Sequence, residues 1–519
     1  MKKIFTTLFV AGMAMAVMAV PARRGGVVRT AADGTEKTVF VQGDECYHYI
    51  TDAEGNWLDE ETLLPISEEK KALRMRAKTE GNRAKVRRAK AETGTDRLLA
   101  PRGAVILVSF SDLDFEATNA EMTEWAMGEN YTYNGATGSI HKYFMDQSWG
   151  QYNLQLDVVG PVKVSKQMSY YGQNDYNGED KHAGELVVEA CKLAHDQGID
   201  FSNYDFNNDG YVDWVVILYA GYGEASGAPA NTIWPHQWEL SRYDPSLAFE
   251  LDGKTVDHYC CLNEKEYQTK KRDGIGTFCH EFSHVMGLPD FYATTEDASH
   301  RTLGSWDIMD YGPYNNNGNT PPNYSAYERW FMGWFQPRLV NQNASVILPP
   351  MVETAGAVYM TENGDAISDI LAPSPSTFYM FENRKREGWD KYLKGSGLMI
   401  TKIKWNRDRW AGNTVNNYAN SLGVDLIEAK TNTSSYSDKS TDLYPAGATM
   451  FTKNTNYQVT NIALTEKGVI TFDVNGGGAT INLDVENVEA AAAAVKQIEN
   501  GRVVIFRDGK KYDILGNRL

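Results

Sequence analysis

The stretch Gly276–Asp290, GTFCHEFSHVMGLPD, constrains this chain more than any other part of it. On a helix, His280 and His284 lie four residues apart and project from one face, so both imidazoles can reach one metal ion. Glu281 sits beside them, placed to act on water without being a ligand. Gly287 can take the positive φ that ends a helix, and the chain then turns through Pro289 to return Asp290 as a third ligand. Two imidazoles and one carboxylate leave the fourth position of a tetrahedral Zn2+ to water, the arrangement of a catalytic site. Glu281 is then expected to act as general base and afterwards as general acid.

A second element agrees. Residues 305–312 read SWDIMDYG. Glycine-extended HExxH hydrolases set a methionine turn beneath the metal, a slot that Met309 fits. Tyr311, two residues on, is placed to donate to a developing oxyanion, and it reads equally well as a packing tyrosine. Upstream, DFNNDGYVD puts Asp205, Asn207, Asp209, the Tyr211 carbonyl and Asp213 at the donor spacing of a calcium loop, with Gly210 at its sharp turn. The closing glutamate of such a loop is absent, Val216 standing in its place. A structural Ca2+ is expected there; the alternative is an Asx-rich turn before a strand.

The 519 residues carry 68 Asp+Glu against 51 Lys+Arg, a net charge of −17. That balance excludes nucleic acid as the main partner, since phosphate binding needs a basic footprint. Lys2 and Lys3 precede an apolar run from Ile4 to about Ala19, followed by Val17-Met18-Ala19 or Val20-Pro21-Ala22 as a small-residue cleavage signal. This is a secretory signal peptide, so the protein is expected to be secreted, extracellular or at the cell surface. No later run is long enough to span a bilayer once the signal is removed.

Five segments follow. Residues 1–22 are the signal peptide, and 23–99 a small β propeptide ending in a basic activation linker, with ten Lys/Arg between Lys70 and Lys90 against Glu80 alone. Residues 100–340 are the catalytic domain, opening on the strand-like GAVILVSF, with a helix over ELVVEACKLAH and a buried strand over YVDWVVILYAG. Residues 341–475 alternate in short β-type segments and read as a β-sandwich-like domain; 476–519 are a linker and a small β tail. His236 reads as a satisfied structural histidine near the cleft. Cys46, in the propeptide, reads as a buried thiol, with metal-bound latency as the alternative. The pairing of Cys191, Cys260, Cys261 and Cys279 does not follow from sequence.

With the zinc motif come YFMDQSWGQYNL from Tyr143, DGYVDWVVILYAGYGEASG from Asp209, IWPHQW from Ile233, NYSAYERWFMGW from Asn323, FENRKREGWDKYLKGSGLMI from Phe381 and DLYP from Asp442. In this order, over about residues 100–450, they resemble the immune inhibitor A family of secreted bacterial metalloproteases, a metzincin-like group with aspartate as third ligand. The resemblance implies an α+β fold, with a metzincin-like zincin catalytic domain followed by a β-sandwich-like domain. It implies a zinc endopeptidase made as a zymogen and acting on proteins or peptides, with His280, His284 and Asp290 as ligands and Glu281 as base. The last residues resemble C-terminal sorting tails of the type IX secretion system, which would make a secretion apparatus a partner. Two rival readings remain: a zinc hydrolase acting on glycopeptide or cell-wall peptide, and a surface binding protein with a poorly active zincin domain.

Overall fold

In a computed structural model, the described residues are 20–44, 47–72, 102–175, 180–295, 300–351, 356–432, 437–452, 456–483, 495–499, 502–507 and 510–512. Cys46, most of the basic linker and nearly all of the signal peptide lie outside them. The chain begins with a three-stranded antiparallel sheet, β1 (Val27–Thr30), β2 (Glu36–Asp44) and β3 (Tyr47–Thr51). Its alternating apolar residues, Val27, Val39, Val41 and Ile50, are buried in a cluster that also includes Ala225 and Trp234 of the following domain.

The segment expected to be catalytic is built on β4 (Arg102–Ser109), β5 (Gln155–Lys163), β6 (Val215–Tyr222), β7 (His236–Glu239), the hairpin β8 (Phe249–Leu251) and β9 (Lys254–Val256), and β10 (His258–Lys265). Its five-stranded sheet has the order β5-β4-β6-β10-β7, parallel throughout except for β7 at the edge. Continuous apolar runs make β4 and β6 central, because both faces of such strands must be covered. Helices α1 (Asn119–Met127), α2 (Ile140–Gln147), α3 (Ala183–Asp196) and α4 (Gly276–Val285) accompany the sheet. The strand expected from Tyr211 starts only at Val215, because the Val212 and Asp213 N–H groups instead donate to the carbonyls of Thr255 and Tyr204.

Beyond α5 (Ala326–Phe331) the chain is β-rich: β11 (Arg338–Leu339), β12 (Ala344–Leu348), β13 (Ala357–Thr361), β14 (Thr377–Arg384), β15 (Gly397–Lys404), β16 (Val424–Leu426), β17 (Val459–Leu464), β18 (Ile470–Val474) and β19 (Ala479–Asn482). One sheet runs β11-β13-β14-β15-β16 and the other β17-β18-β12-β19. Alternation along β14 divides the core: Phe378 and Met380 join the catalytic segment's cluster, while Tyr379 and Phe381 join the cluster shared with the second sheet. Arg384, fully buried, pairs with Asp390 at 2.7 Å and donates to the carbonyls of Trp306 and Asn323. The C-terminal region is therefore joined to the catalytic segment by both apolar and charged contacts. A last antiparallel sheet, β20 (Val495–Glu499), β21 (Arg502–Arg507) and β22 (Lys510–Tyr512), forms the tail.

Candidate metal centre and cleft

Helix α4 is buried from Gly276 to His284, so it is apolar all round except where its polar groups meet one another. Gly276 lets a neighbouring loop close in: a Cβ there would lie 2.0 Å from the Pro313 carbonyl oxygen. At the other end Gly287, at φ 93°, sends its N–H back to the His284 carbonyl, and Leu288 donates to Ser283. This left-handed cap reverses the chain and brings Asp290 under the helix.

His280 Nδ1 is 2.7 Å from the Ile308 carbonyl, and His284 Nδ1 is 2.7 Å from the Leu288 carbonyl. A carbonyl only accepts, so each Nδ1 carries the proton and each Nε2 presents a lone pair. Those two Nε2 atoms are 3.1 Å apart, and Asp290 Oδ1 lies 3.1 and 3.3 Å from them. Lone pairs and an anionic oxygen facing one another in a fully buried site repel unless a cation lies between them. The three donors fall within 4.8 Å of one another, and the set fits zinc. Burial lowers the His284 pKa, keeping the imidazole in its neutral, ligating form at pH 7.

Asp290 is held from an unexpected direction. Its N–H donates to Asn413 Oδ1 at 2.7 Å, and Asn413 Nδ2 donates to Asp290 Oδ2 at 2.6 Å. Asn413 comes from the C-terminal β-rich region, 123 residues away, and adopts a positive φ of 51°. Met309 is fully buried, and its carbonyl accepts from Phe291, so the methionine turn is tied to the strand of chain that follows Asp290.

Glu281 is buried on the same helix. Its Oε1 accepts from the Val20 N–H at 2.7 Å, a contact spanning 261 residues. The segment Val20–Arg24 continues along the cleft. Trp234 Nε1 donates to the Val20 carbonyl, Tyr314 Oη to the Pro21 carbonyl at 2.6 Å, and the Arg23 N–H to the Ala225 carbonyl. The Arg24 guanidinium lies 3.5 Å from the ring centre of Tyr311. Tyr311 therefore meets a cation of the N-terminal segment.

The N-terminal sheet is further anchored by His48, 2.8 Å from Glu224, both buried, and stacked on Trp234. Burial alone would lower the His48 pKa, but the carboxylates of Glu224 and Glu60 raise it above 6.5. A raised imidazole pKa stabilises the docked state in full below about pH 6.5, and that gain disappears as pH rises through the raised value. Protection of the β1–β3 amides, taken relative to their intrinsic base-catalysed rates, should thus fall from pH 6 to pH 9 in the wild type. His48→Ala should weaken docking at pH 6 by roughly 3 kcal/mol, by leaving Glu224 buried without its cation, and should flatten the pH dependence.

The 205–213 loop is built from its own amides. Asp209 and Gly210 donate to Asp205, Tyr211 to Asp209, and Phe206 to Asp213. Asn207 accepts from the Asp209 N–H, and Lys254 Nζ sits 2.6 Å from Asp205. Burial, with Asp205 and Asp209 nearby, pushes Asp213 up to about 6. Both ring nitrogens of His236 are engaged, by the Trp234 carbonyl and Tyr259 Oη. Cys191, Cys260, Cys261 and Cys279 are buried free thiols whose pKa values burial raises.

A buried helix that presents two histidines and a glutamate, closed by a returning aspartate, defines a metallopeptidase centre. Residues 103–339 match the family model "Immune inhibitor A peptidase M6, catalytic domain", so this segment is similar to the catalytic domain of that family. It is 27% identical, over 279 residues covering 46% of the chain, to the pre-pro-metalloprotease PrtV of Vibrio cholerae. It is 27% identical, over 233 residues covering 40% of the chain, to Immune inhibitor A of Bacillus thuringiensis subsp. alesti. The matches span 30% and 33% of the length of these two relatives.

Proposed function

We propose that this chain is a secreted zinc endopeptidase made as a zymogen, cleaving proteins or peptides in the cleft above α4. The convergence of His280, His284 and Asp290 beside Glu281 carries the reading. His280, His284 and Asp290 would hold a zinc ion, which would supply Lewis acidity toward water and the scissile carbonyl. Glu281 takes the proton from the attacking water and hands it to the leaving amine. Its burial keeps bulk water from competing for that proton. Tyr311, whose ring meets Arg24, is the proposed donor to the oxyanion. A metzincin-like zincin fold with a β-sandwich-like second domain is the architecture this reading assumes.

The N-terminal sheet is the propeptide in this reading, supported by the contact of Val20 with Glu281 and by the "pre-pro" name of the Vibrio relative. The contact needs cleavage of the signal after Ala19, which leaves Val20 in place, and not after Ala22, so the propeptide of this reading begins at Val20 and not at Arg23. Among the described residues no helix is long and apolar enough to cross a membrane. Casein hydrolysis by chain processed between residues 73 and 101 tests the function. Activity should vanish with a zinc chelator and return with stoichiometric Zn2+; zinc binding without any cleavage would remove the peptidase reading.

For the loop 205–213 we propose a structural Ca2+. Three carboxylates crowd it, and the Lys254 ammonium already balances one of them. Calcium at a hundredfold its dissociation constant would stabilise the fold by about 2.7 kcal/mol. Calcium re-addition to chelated, zinc-loaded protein should therefore raise Tm by several degrees, and an unchanged Tm would remove the ion.

A further inference from the structure

The residues lining the cleft beyond Glu281 carry a feature that metal chemistry does not use. Glu266 is buried, following β10, and its carboxylate accepts from the N–H groups of Gln268 and Thr269 at 2.8 and 2.5 Å. Those bonds aim it at one incoming group. Arg23 supplies that group, with Nη1 2.8 Å from Glu266 Oε1 and Nη2 donating to Asn317 Oδ1 at 2.7 Å. The Arg23 side chain is 10% exposed and that of Glu266 3% exposed. A guanidinium held by a carboxylate and an amide, with its stem covered, is matched in shape as well as charge.

Arg23 reaches this place by way of the cleft. Its segment touches Glu281 through Val20 and runs past Trp234 and Tyr314 with main-chain bonds at Val20, Pro21 and Arg23. Main-chain bonds to an extended peptide, with a pocket for one side chain, are how a cleft takes a peptide of any origin. We propose that Glu266 and Asn317 form a subsite for an arginine side chain of peptides bound in the cleft, which Arg23 of the chain's own N-terminal segment fills. The proposal rests on the peptidase reading for its purpose but not for its measurement.

Two measurements test it. The first uses the chain from Val20 to Leu519 and follows hydrogen exchange over Val20–Gly26. Arg23→Ala, Glu266→Gln and Asn317→Ala should each speed exchange at least tenfold, and an unchanged rate in all three overturns the proposal. The second uses the chain beginning at Gly25 with Glu281→Gln, and fluorescence anisotropy with labelled Val-Pro-Ala-Arg-Arg-Gly. Replacing the first arginine of the peptide by alanine should weaken binding at least tenfold, and Glu266→Gln should abolish that difference. Equal affinity for the two peptides, or no binding by folded protein, overturns the subsite. If the shortened chain does not fold, the exchange measurement decides. Arginine-dependent binding without any turnover keeps the subsite and removes the peptidase; casein turnover without arginine-dependent binding does the reverse.

Discussion

Glu281→Gln should retain metal at the level of the wild type and lose peptidase activity, with kcat/KM falling roughly a thousandfold, about 4 kcal/mol of transition-state stabilisation. The amide has nearly the shape of the carboxylate and can still accept from the Val20 N–H, so the helix and the docked segment should persist. What it cannot do is take a proton. The proposed ligands are His280, His284 and Asp290, whose donor atoms converge without Glu281. Metal content by elemental analysis and casein hydrolysis by processed protein check both halves. Activity within tenfold of wild type would remove Glu281 from its role.

Asn413→Ala should weaken metal binding by 10- to 100-fold, the range typical of a lost partner to a ligand. Asn413 is not among the three proposed ligands; its Nδ2 donates to Asp290 Oδ2, and its side-chain Oδ1 accepts from the Asp290 main-chain N–H. Once it is gone, the carboxylate can rotate and Oδ1 leaves the two Nε2 atoms. Competition with a zinc chelator of known affinity measures the loss. The readout that separates positioning from general damage is the split in kinetics. Saturating zinc should restore most of kcat in Asn413→Ala, whereas it should restore none in Glu281→Gln. An affinity unchanged within twofold would mean that the returning loop alone positions Asp290.

Much of this centre was legible because covalent spacing on a helix becomes geometry directly. His280, Glu281 and His284 are set by the 3.6-residue turn, and Gly287 by its freedom to take a positive φ. The buried strands β4 and β6 were legible as apolar runs. Asn413 was not, since a lone asparagine in a β-rich stretch gives no signal of a partner 123 residues earlier. Val20–Ala22 read as cleavage-site residues, and nothing local to them points to Glu281. Glu266 and Asn317 are ordinary polar residues in sequence; only the fold brings them to one guanidinium. The calcium-type spacing at 205–213 was visible, but Lys254, which comes from another hairpin, was not.

The tie between Asp290 and Asn413 also has a meaning in time. A chain is made from its N-terminus, so the histidines, the glutamate and the aspartate leave the ribosome well before Asn413 does. Until the segment bearing Asn413 has been made and has folded back, the third ligand lacks its brace. A nascent or truncated chain that stops after the catalytic segment would carry every residue of the zinc motif and still hold metal poorly. On the proposed zymogen reading, the cell that makes this protein would be shielded twice, first by the order of synthesis and then by the segment lying across Glu281.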